Sequence, residues 1–220
     1  MVYLGATLSS SGQLSGELSR ILGAAWGEFC KYARAWKHSS ISVVRKLQMF
    51  QALVTSKVMY SLNSAWLNKA ERRRLDGFQA RCLRRILHIP HAYFSRVSNE
   101  QVLSQSGQQP YTAQLLRSQL LWFGKICRAT DSDFLRRLTF QPGNARPATD
   151  ACGRARGRPR NEWAKCLYKA VAPQFTSDPA IMQCVSEPAA WHQFVIDFVS
   201  LPPPSLPPPP PPPPAAPEVH

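Results

Sequence analysis

Residues 68–87 read NKAERRRLDGFQARCLRRIL and combine a helical apolar pattern with a dense positive charge. Apolar residues recur along this segment at steps of three and four. That spacing predicts one buried stripe of an amphipathic α-helix. The stripe comprises Leu75, Phe78, Cys82 and Ile86. Asn68 followed by Glu71 matches a capping box, which predicts that the helix begins there.

Six arginines lie between the apolar positions of this helix and make it a candidate contact for phosphate. They are Arg72, Arg73, Arg74, Arg81, Arg84 and Arg85. A solvated surface helix in a basic protein would have the same pattern. Taken alone, the helix does not separate these two interpretations.

The whole chain is strongly basic. It has 27 Lys and Arg against 13 Asp and Glu, for a formal net charge of +14 in 220 residues. This balance favours a polyanionic partner, with nucleic acid ahead of an anionic membrane surface. No Lys or Arg follows Lys169, so the positive charge belongs to the first three quarters of the chain. No apolar run reaches the roughly 20 residues of a membrane span.

The six cysteines form no CxxC pair, and the chain opens without a secretory pattern. We therefore expect free thiols in an intracellular protein, nuclear or cytoplasmic. His88 and His91 follow Cys82, but a fourth ligand is missing and Pro90 interrupts helical geometry. We predict no metal site, no cofactor and no catalytic residue in this chain.

The periodicity predicts a mainly α fold, a bundle of about six or seven helices with a short N-terminal strand and a disordered proline-rich tail. In the predicted helix over 42–62, Val44 faces inward while Lys46 and Lys57 face outward. The chain divides into five segments. They are the strand and turn 1–12, the helical region 13–140, the basic linker 141–160, the helical segment 161–200 and the tail 201–220.

The linker is rich in glycine, proline and arginine, a composition typical of flexible basic segments. Its arginines are a second set of candidate phosphate contacts, or alternatively a nuclear-import patch. They are Arg154, Arg156, Arg158 and Arg160. A plain linker before the next helix explains the same residues.

The tail contains eight consecutive prolines, from Pro207 to Pro214. Such a run favours an extended polyproline II rod, which can dock in an aromatic-lined groove. A second hypothesis is therefore a helical interaction module that presents this tract to an SH3, WW or profilin-like partner. An inert extended tail is the simpler interpretation.

Several pieces, in order, resemble the region after the palm of reverse transcriptases from non-LTR (LINE-type) retrotransposons. The resemblance covers roughly residues 2–170, and its most specific piece is RLDGFQARCLRRILHI, from Arg74 to Ile89. The other pieces are YLGATL from Tyr3, ELSRILGAA from Glu17, Lys46 to Leu53 with Val58-Met-Tyr60 and Trp66, SNEQV from Ser98, LLWFGKICR from Leu120, and GRPRNEW from Gly157.

The resemblance implies that residues 1–12 are a remnant of the palm and primer-grip region, with Tyr3, Leu4 and Gly5 near the primer. It implies that residues 13–140 form the thumb and post-thumb, which grip a template–primer duplex. The partner would be the backbone of RNA, an RNA–DNA hybrid or DNA.

The family's paired aspartates, which hold Mg²⁺ in the palm, are absent here. We therefore expect a nucleic-acid-binding fragment that is not itself an enzyme, with fingers and palm preceding Met1. A decayed element with no selected function is the remaining alternative.

Overall fold

The computed structural model describes residues 2–3, 6–7, 14–37, 40–60, 62–63, 65–148 and 162–200. This part of the chain is mainly helical, so the predicted mainly α class is confirmed. The proline-rich tail lies outside the described residues and stays a prediction. None of the described helices is long and apolar enough to cross a membrane.

Within the described residues, the N-terminal half contains six α-helices. They are α1 (Ser15–Lys37), α2 (Val43–Phe50), α3 (Ser56–Tyr60), α4 (Lys69–Ile86), α5 (Ala92–Ser95) and α6 (Asn99–Ser106). A π-helical turn, Gln51–Thr55, joins α2 to α3 without a break. Before them, β1 (Val2–Tyr3) pairs antiparallel with β2 (Ala6–Thr7). The rest of the predicted N-terminal strand lies outside the described positions.

The described residues of the second half form five α-helices, α7 to α11. They are α7 (Tyr111–Cys127), α8 (Phe134–Thr139), α9 (Trp163–Val171), α10 (Asp178–Ser186) and α11 (Pro188–Ser200). The described ranges thus hold more helical segments than the six or seven predicted. The additional ones include α5 and α10, whose short apolar patterns are weak sequence signals.

The beginning of α4 follows the predicted capping box. The Asn68 side chain accepts a hydrogen bond from the Glu71 N–H at 2.9 Å, and Glu71 accepts one from the Asn68 N–H at 2.8 Å. The predicted apolar stripe of α4 faces the protein interior, where Leu75, Cys82 and Ile86 are buried. The boundary and orientation of the basic helix are therefore confirmed.

The orientation predicted for residues 42–62 is wrong at two positions. Val44 is exposed, and Lys46 is buried together with residues that follow at steps of four. These are Phe50, Val54, Val58 and Leu62. A step of four drifts around a regular α-helix, which has 3.6 residues per turn, but the wider π-helical turn keeps such residues on one side.

Two hydrophobic cores meet on α7. Tyr111 and Leu115 belong to the first core, which lies between α1, α2, α3, α4 and α6. Leu120 and Phe123 belong to the second core, with residues from α9, α10 and α11. The predicted boundary near residue 140 therefore differs from the packing, since the cores divide within α7.

Residues 141–148 differ from the flexible linker that their composition predicts. Phe140 forms an antiparallel bridge with Pro147, and Ala145 is fully buried in the second core. Arg136 donates hydrogen bonds to the carbonyls of Cys127 and Asn144, which hold this turn against α7. The linker residues 149–160 lie outside the described part of the chain.

A close helix contact in the second core joins α7 to α11. The Trp191 indole N–H donates to the Leu120 carbonyl at 3.0 Å, and the indole lies against Gly124. A Cβ at position 124 would overlap the indole ring. Glycine is therefore required there for the two helices to approach.

Candidate nucleic-acid interface

The outer side of α4 carries the exposed arginines of the basic helix. Arg73, Arg74, Arg81 and Arg85 are exposed, as expected for positions opposite the buried stripe. None of them forms an ion pair with a carboxylate in the described residues. Their charge is therefore not neutralised within this part of the protein.

The two acidic residues of α4 are both used elsewhere. Glu71 is buried in the capping box at the start of the helix. Asp76 accepts hydrogen bonds from the Thr112 N–H at 3.0 Å and the Thr112 hydroxyl at 2.8 Å. Asp76 thus caps the N-terminus of α7, where a carboxylate also favours the helix dipole. Neither acidic residue of α4 therefore pairs with the exposed arginines of the same helix.

Trp26 of α1 supports two of the exposed arginines. The guanidinium carbon of Arg81 lies 3.9 Å from the indole centroid, and that of Arg85 lies 4.9 Å from it. Trp26 is itself held by ring contacts with Phe29 and Phe78, at centroid separations of 5.6 Å and 6.3 Å. Stacking on an aromatic face orients a guanidinium while leaving its N–H edges free for another acceptor.

Arg74 extends the positive surface to the beginning of α1. Its guanidinium donates to the Ser19 hydroxyl at 2.9 Å, which orients the side chain without neutralising it. Arg73 makes no hydrogen bond or ion pair with any residue that the structure describes. We define the α1–α4 face as the surface formed by Arg73, Arg74, Arg81 and Arg85 around Trp26.

Arg84 does not belong to this surface, which corrects its prediction as a phosphate contact. Its side chain is only 8% exposed and points into the segment that follows α4. The guanidinium donates to four acceptors there. They are the carbonyls of Pro90 and Val97, the Ser95 hydroxyl and the Asn99 side chain. Arg84 therefore holds this segment to α4.

Arg72 is also more structural than the sequence predicts. Its guanidinium lies 4.3 Å from the Trp66 centroid and donates to the Leu67 carbonyl at 3.1 Å. Partial burial lowers the pKa of Arg72 from its ordinary value. Trp66 packs against the second core, so Arg72 ties the start of α4 to it.

The other predicted site residues belong to the N-terminal segment and the basic linker. Leu4, Gly5 and the side chain of Tyr3 lie outside the described positions, as do all four linker arginines. The latter are Arg154, Arg156, Arg158 and Arg160. Their predicted contacts with primer and phosphate stay predictions.

A cleft of about 500 Å³ opens where the C-terminal end of α4 meets α1 and α2. Its wall is apolar and includes Phe29, Ala33, Trp36 and Ile86. Four Arg, Lys or His side chains of the described residues also line it. They are Arg34, Lys46, Arg85 and His88. Sequence reasoning missed this cleft, because its lining comes from three helices and Lys46 was expected outside.

His88 enters the cleft lining through an unusual backbone conformation. Its φ is +57°, in the left-handed region that favours glycine. The Ile89 N–H donates to the Arg84 carbonyl at 2.9 Å across this residue, which closes α4 as a Schellman motif. A histidine in this position places an imidazole at the edge of the cleft.

The cysteines differ in their surroundings. Cys82 and Cys127 are buried, and burial raises the pKa of both thiols, for Cys127 to about 12. Cys30 is partly exposed, lines the cleft and lies 3.9 Å from an Arg85 nitrogen. No group of three His, Cys, Asp or Glu residues within the described ranges is arranged to hold a metal ion.

The fold and this surface together define a mainly α protein with an unneutralised arginine face beside an amphipathic cleft. No family model, curated protein or solved structure matches this chain. The relationship to non-LTR reverse transcriptases therefore stays a prediction that rests on the motifs quoted above.

Proposed function

We propose that this protein binds nucleic acid through the phosphate backbone, using the α1–α4 face. The observation that carries the proposal is the set of four exposed arginines without an acidic partner, two of which are oriented by Trp26. Guanidinium groups suit phosphate because they donate in a fork that matches its oxygens. Contacts with the backbone give affinity with little sequence preference.

An RNA–DNA hybrid is the partner to test first, because the resemblance to the thumb region of non-LTR reverse transcriptases implies a template–primer duplex. On the same grounds we propose that the chain holds a nucleic acid and does not copy one. A primer-extension assay with this chain alone, Mg²⁺ and nucleotides tests the second statement. Any extension product would contradict it.

The binding proposal is tested by fluorescence anisotropy with a labelled RNA–DNA duplex across a salt series. Backbone binding predicts that log affinity falls linearly with log salt, by roughly 0.7 to 0.9 per neutralised phosphate. Replacing Arg73, Arg74, Arg81 and Arg85 by glutamine should weaken binding and flatten this slope. A flat salt response of the unmodified protein, or no binding at low salt, would overturn the proposal.

A matched control separates the α1–α4 face from total charge. Four cations elsewhere can be replaced by glutamine with the same change in net charge. They are Arg117, Lys125, Arg137 and Lys169. This variant should keep most of the affinity and the steep salt dependence. Equal losses in the two variants would mean that binding follows net charge alone.

The interaction-module hypothesis stays a separate prediction. Deleting residues 201–220 removes the proline tract and leaves the α1–α4 face intact. Nucleic-acid binding should survive this deletion, whereas binding of an SH3, WW or profilin-like partner should not.

A further inference from the structure

Lys46 is one of the cleft residues that the backbone-binding proposal does not explain. Its side chain is 8% exposed, and it forms no hydrogen bond or ion pair with any residue in the described ranges. Lys46 lines the cleft, so its ammonium, which has no acceptor among the described residues, is available to a ligand there. An anion bound in the cleft would supply the missing acceptor.

The other lining residues indicate which anion would fit. Arg34 and Arg85 add two guanidinium groups, and no carboxylate is among the described residues that line the cleft. The apolar part of the lining includes Ala33, Trp36 and Ile86. The cleft therefore suits a molecule with a flat apolar body and a strongly anionic group, and about 500 Å³ is within the usual size range of small-ligand pockets.

We propose that the cleft binds a nucleotide, with the base against the apolar wall and the phosphate at Lys46, Arg34 and Arg85. Arg85 belongs both to the cleft and to the α1–α4 face, where it lies over Trp26. A strand that follows this face can therefore place one unpaired nucleotide in the cleft. The strand-borne form rests on the proposed function, whereas binding of a free nucleotide does not.

Two binding measurements test this with the full chain. The first compares a blunt RNA–DNA duplex with the same duplex carrying a one-nucleotide overhang. The second titrates the protein with free AMP and measures how far AMP protects Cys30 from alkylation by iodoacetamide. Cys184, which lies outside the cleft, is the internal control. We expect tighter binding of the overhang than of the blunt duplex, and AMP should protect Cys30 but not Cys184.

Lys46→Met removes the ammonium and keeps a side chain of similar length. Loss of a charge-assisted hydrogen bond should weaken AMP binding by about tenfold or more and abolish the preference for the overhang. Lys57→Met is the matched control, because Lys57 is an exposed lysine on the continuation of the same helix outside the cleft. It should leave both measurements unchanged, and circular dichroism verifies that both variants are folded.

The outcomes distinguish the two proposals. Binding of AMP that depends on Lys46, without any duplex binding, would overturn the proposed function and keep the nucleotide site. Salt-dependent duplex binding with no overhang preference and no AMP binding would overturn the nucleotide site alone. An overhang preference or Cys30 protection that persists in Lys46→Met would also overturn it.

Discussion

Arg81 of α4 stacks on Trp26 of α1, with its guanidinium carbon 3.9 Å from the indole centroid. This contact joins the two helices that carry the α1–α4 face. It also orients a guanidinium whose N–H groups remain available to another acceptor. The interface is therefore partly organised before any partner arrives.

Replacing Trp26 should weaken duplex binding even though no charge is lost. Trp26→Leu removes a cation–π contact worth about 0.5–1 kcal/mol at an exposed site, so affinity for the duplex should fall about two- to fivefold. Anisotropy at low salt measures it. Trp122→Leu is the control, since Trp122 contacts Lys125 but lies on α7. Equal effects of both substitutions would contradict a specific role for Trp26.

Adjacent arginines should have opposite roles. Arg84→Met removes a buried guanidinium that serves four acceptors, and should lower the free energy of unfolding by about 2–3 kcal/mol. Arg85→Met, at an exposed position, should change it by less than about 0.5 kcal/mol and instead weaken duplex binding. Urea denaturation and anisotropy measure the two effects. A loss of stability in Arg85→Met together with a loss of duplex binding in Arg84→Met would contradict the assignment of Arg84 as buried and Arg85 as exposed.

Gly124→Ala should destabilise the second core. The added methyl would overlap the Trp191 indole, and overpacking of this kind costs about 1–3 kcal/mol. Gly23→Ala is the matched control, because Gly23 is exposed within α1 with nothing near its Cβ position. That change should stabilise by about 0.5–1 kcal/mol. Thermal unfolding measures the stability of both variants. A Gly124→Ala variant as stable as the unmodified protein would contradict the contact between α7 and α11.

His88→Gly should stabilise the protein while weakening the cleft. Glycine removes the steric strain of a left-handed residue at position 88, and this exceeds the entropy that glycine loses on folding. The free energy of unfolding should therefore rise by about 0.5–1 kcal/mol. The imidazole at the edge of the cleft is lost, so AMP binding should weaken. Arg96→Gly relieves a similar φ of +56° outside the cleft and should leave AMP binding unchanged. Lower stability of His88→Gly would show that its side chain contributes more than its backbone costs.

Asp178 should make stability sensitive to acid. Its carboxylate, 16% exposed, accepts hydrogen bonds from the Tyr168 hydroxyl and from Arg146, and these lower the pKa of Asp178. A carboxyl whose pKa is lower in the folded state stabilises above its unfolded pKa, about 3.9 for aspartate. This contribution is lost as the pH falls below that value.

Urea denaturation at pH 6 and near pH 3 tests the acid dependence. At pH 6 the free energy of unfolding of the unmodified protein should exceed that of the Asp178→Asn variant. This difference in free energy should be smaller near pH 3. Asp197→Asn, at an exposed position of α11, should show little difference at either pH. A gap for Asp178→Asn that stays constant with pH would exclude titration of this carboxylate as its cause.

The sequence predicts α4 well because its signals are local. The capping box and the apolar stripe lie within one helix, so periodicity alone places the arginines around its axis. It does not distinguish Arg84 from Arg85, because burial of Arg84 depends on how the segment to Asn99 folds back over it.

Lys46 could not be placed for a related reason. Its burial depends on the π-helical turn over Gln51–Thr55, which changes the register between α2 and α3. The cleft then needs α1, α2 and the end of α4 to meet, and this is a property of tertiary packing. The capping role of Asp76 could not be predicted either, because its partner Thr112 lies 36 positions away in the sequence.

The position of α7 in both cores has a consequence for unfolding. Tyr111 anchors its first turns among the N-terminal helices, while Phe123 anchors its last turns among the C-terminal ones. Melting either half would remove one wall of the other, because a single continuous helix supplies both. The two halves should therefore unfold in one cooperative transition, and neither should persist as an independent folding unit.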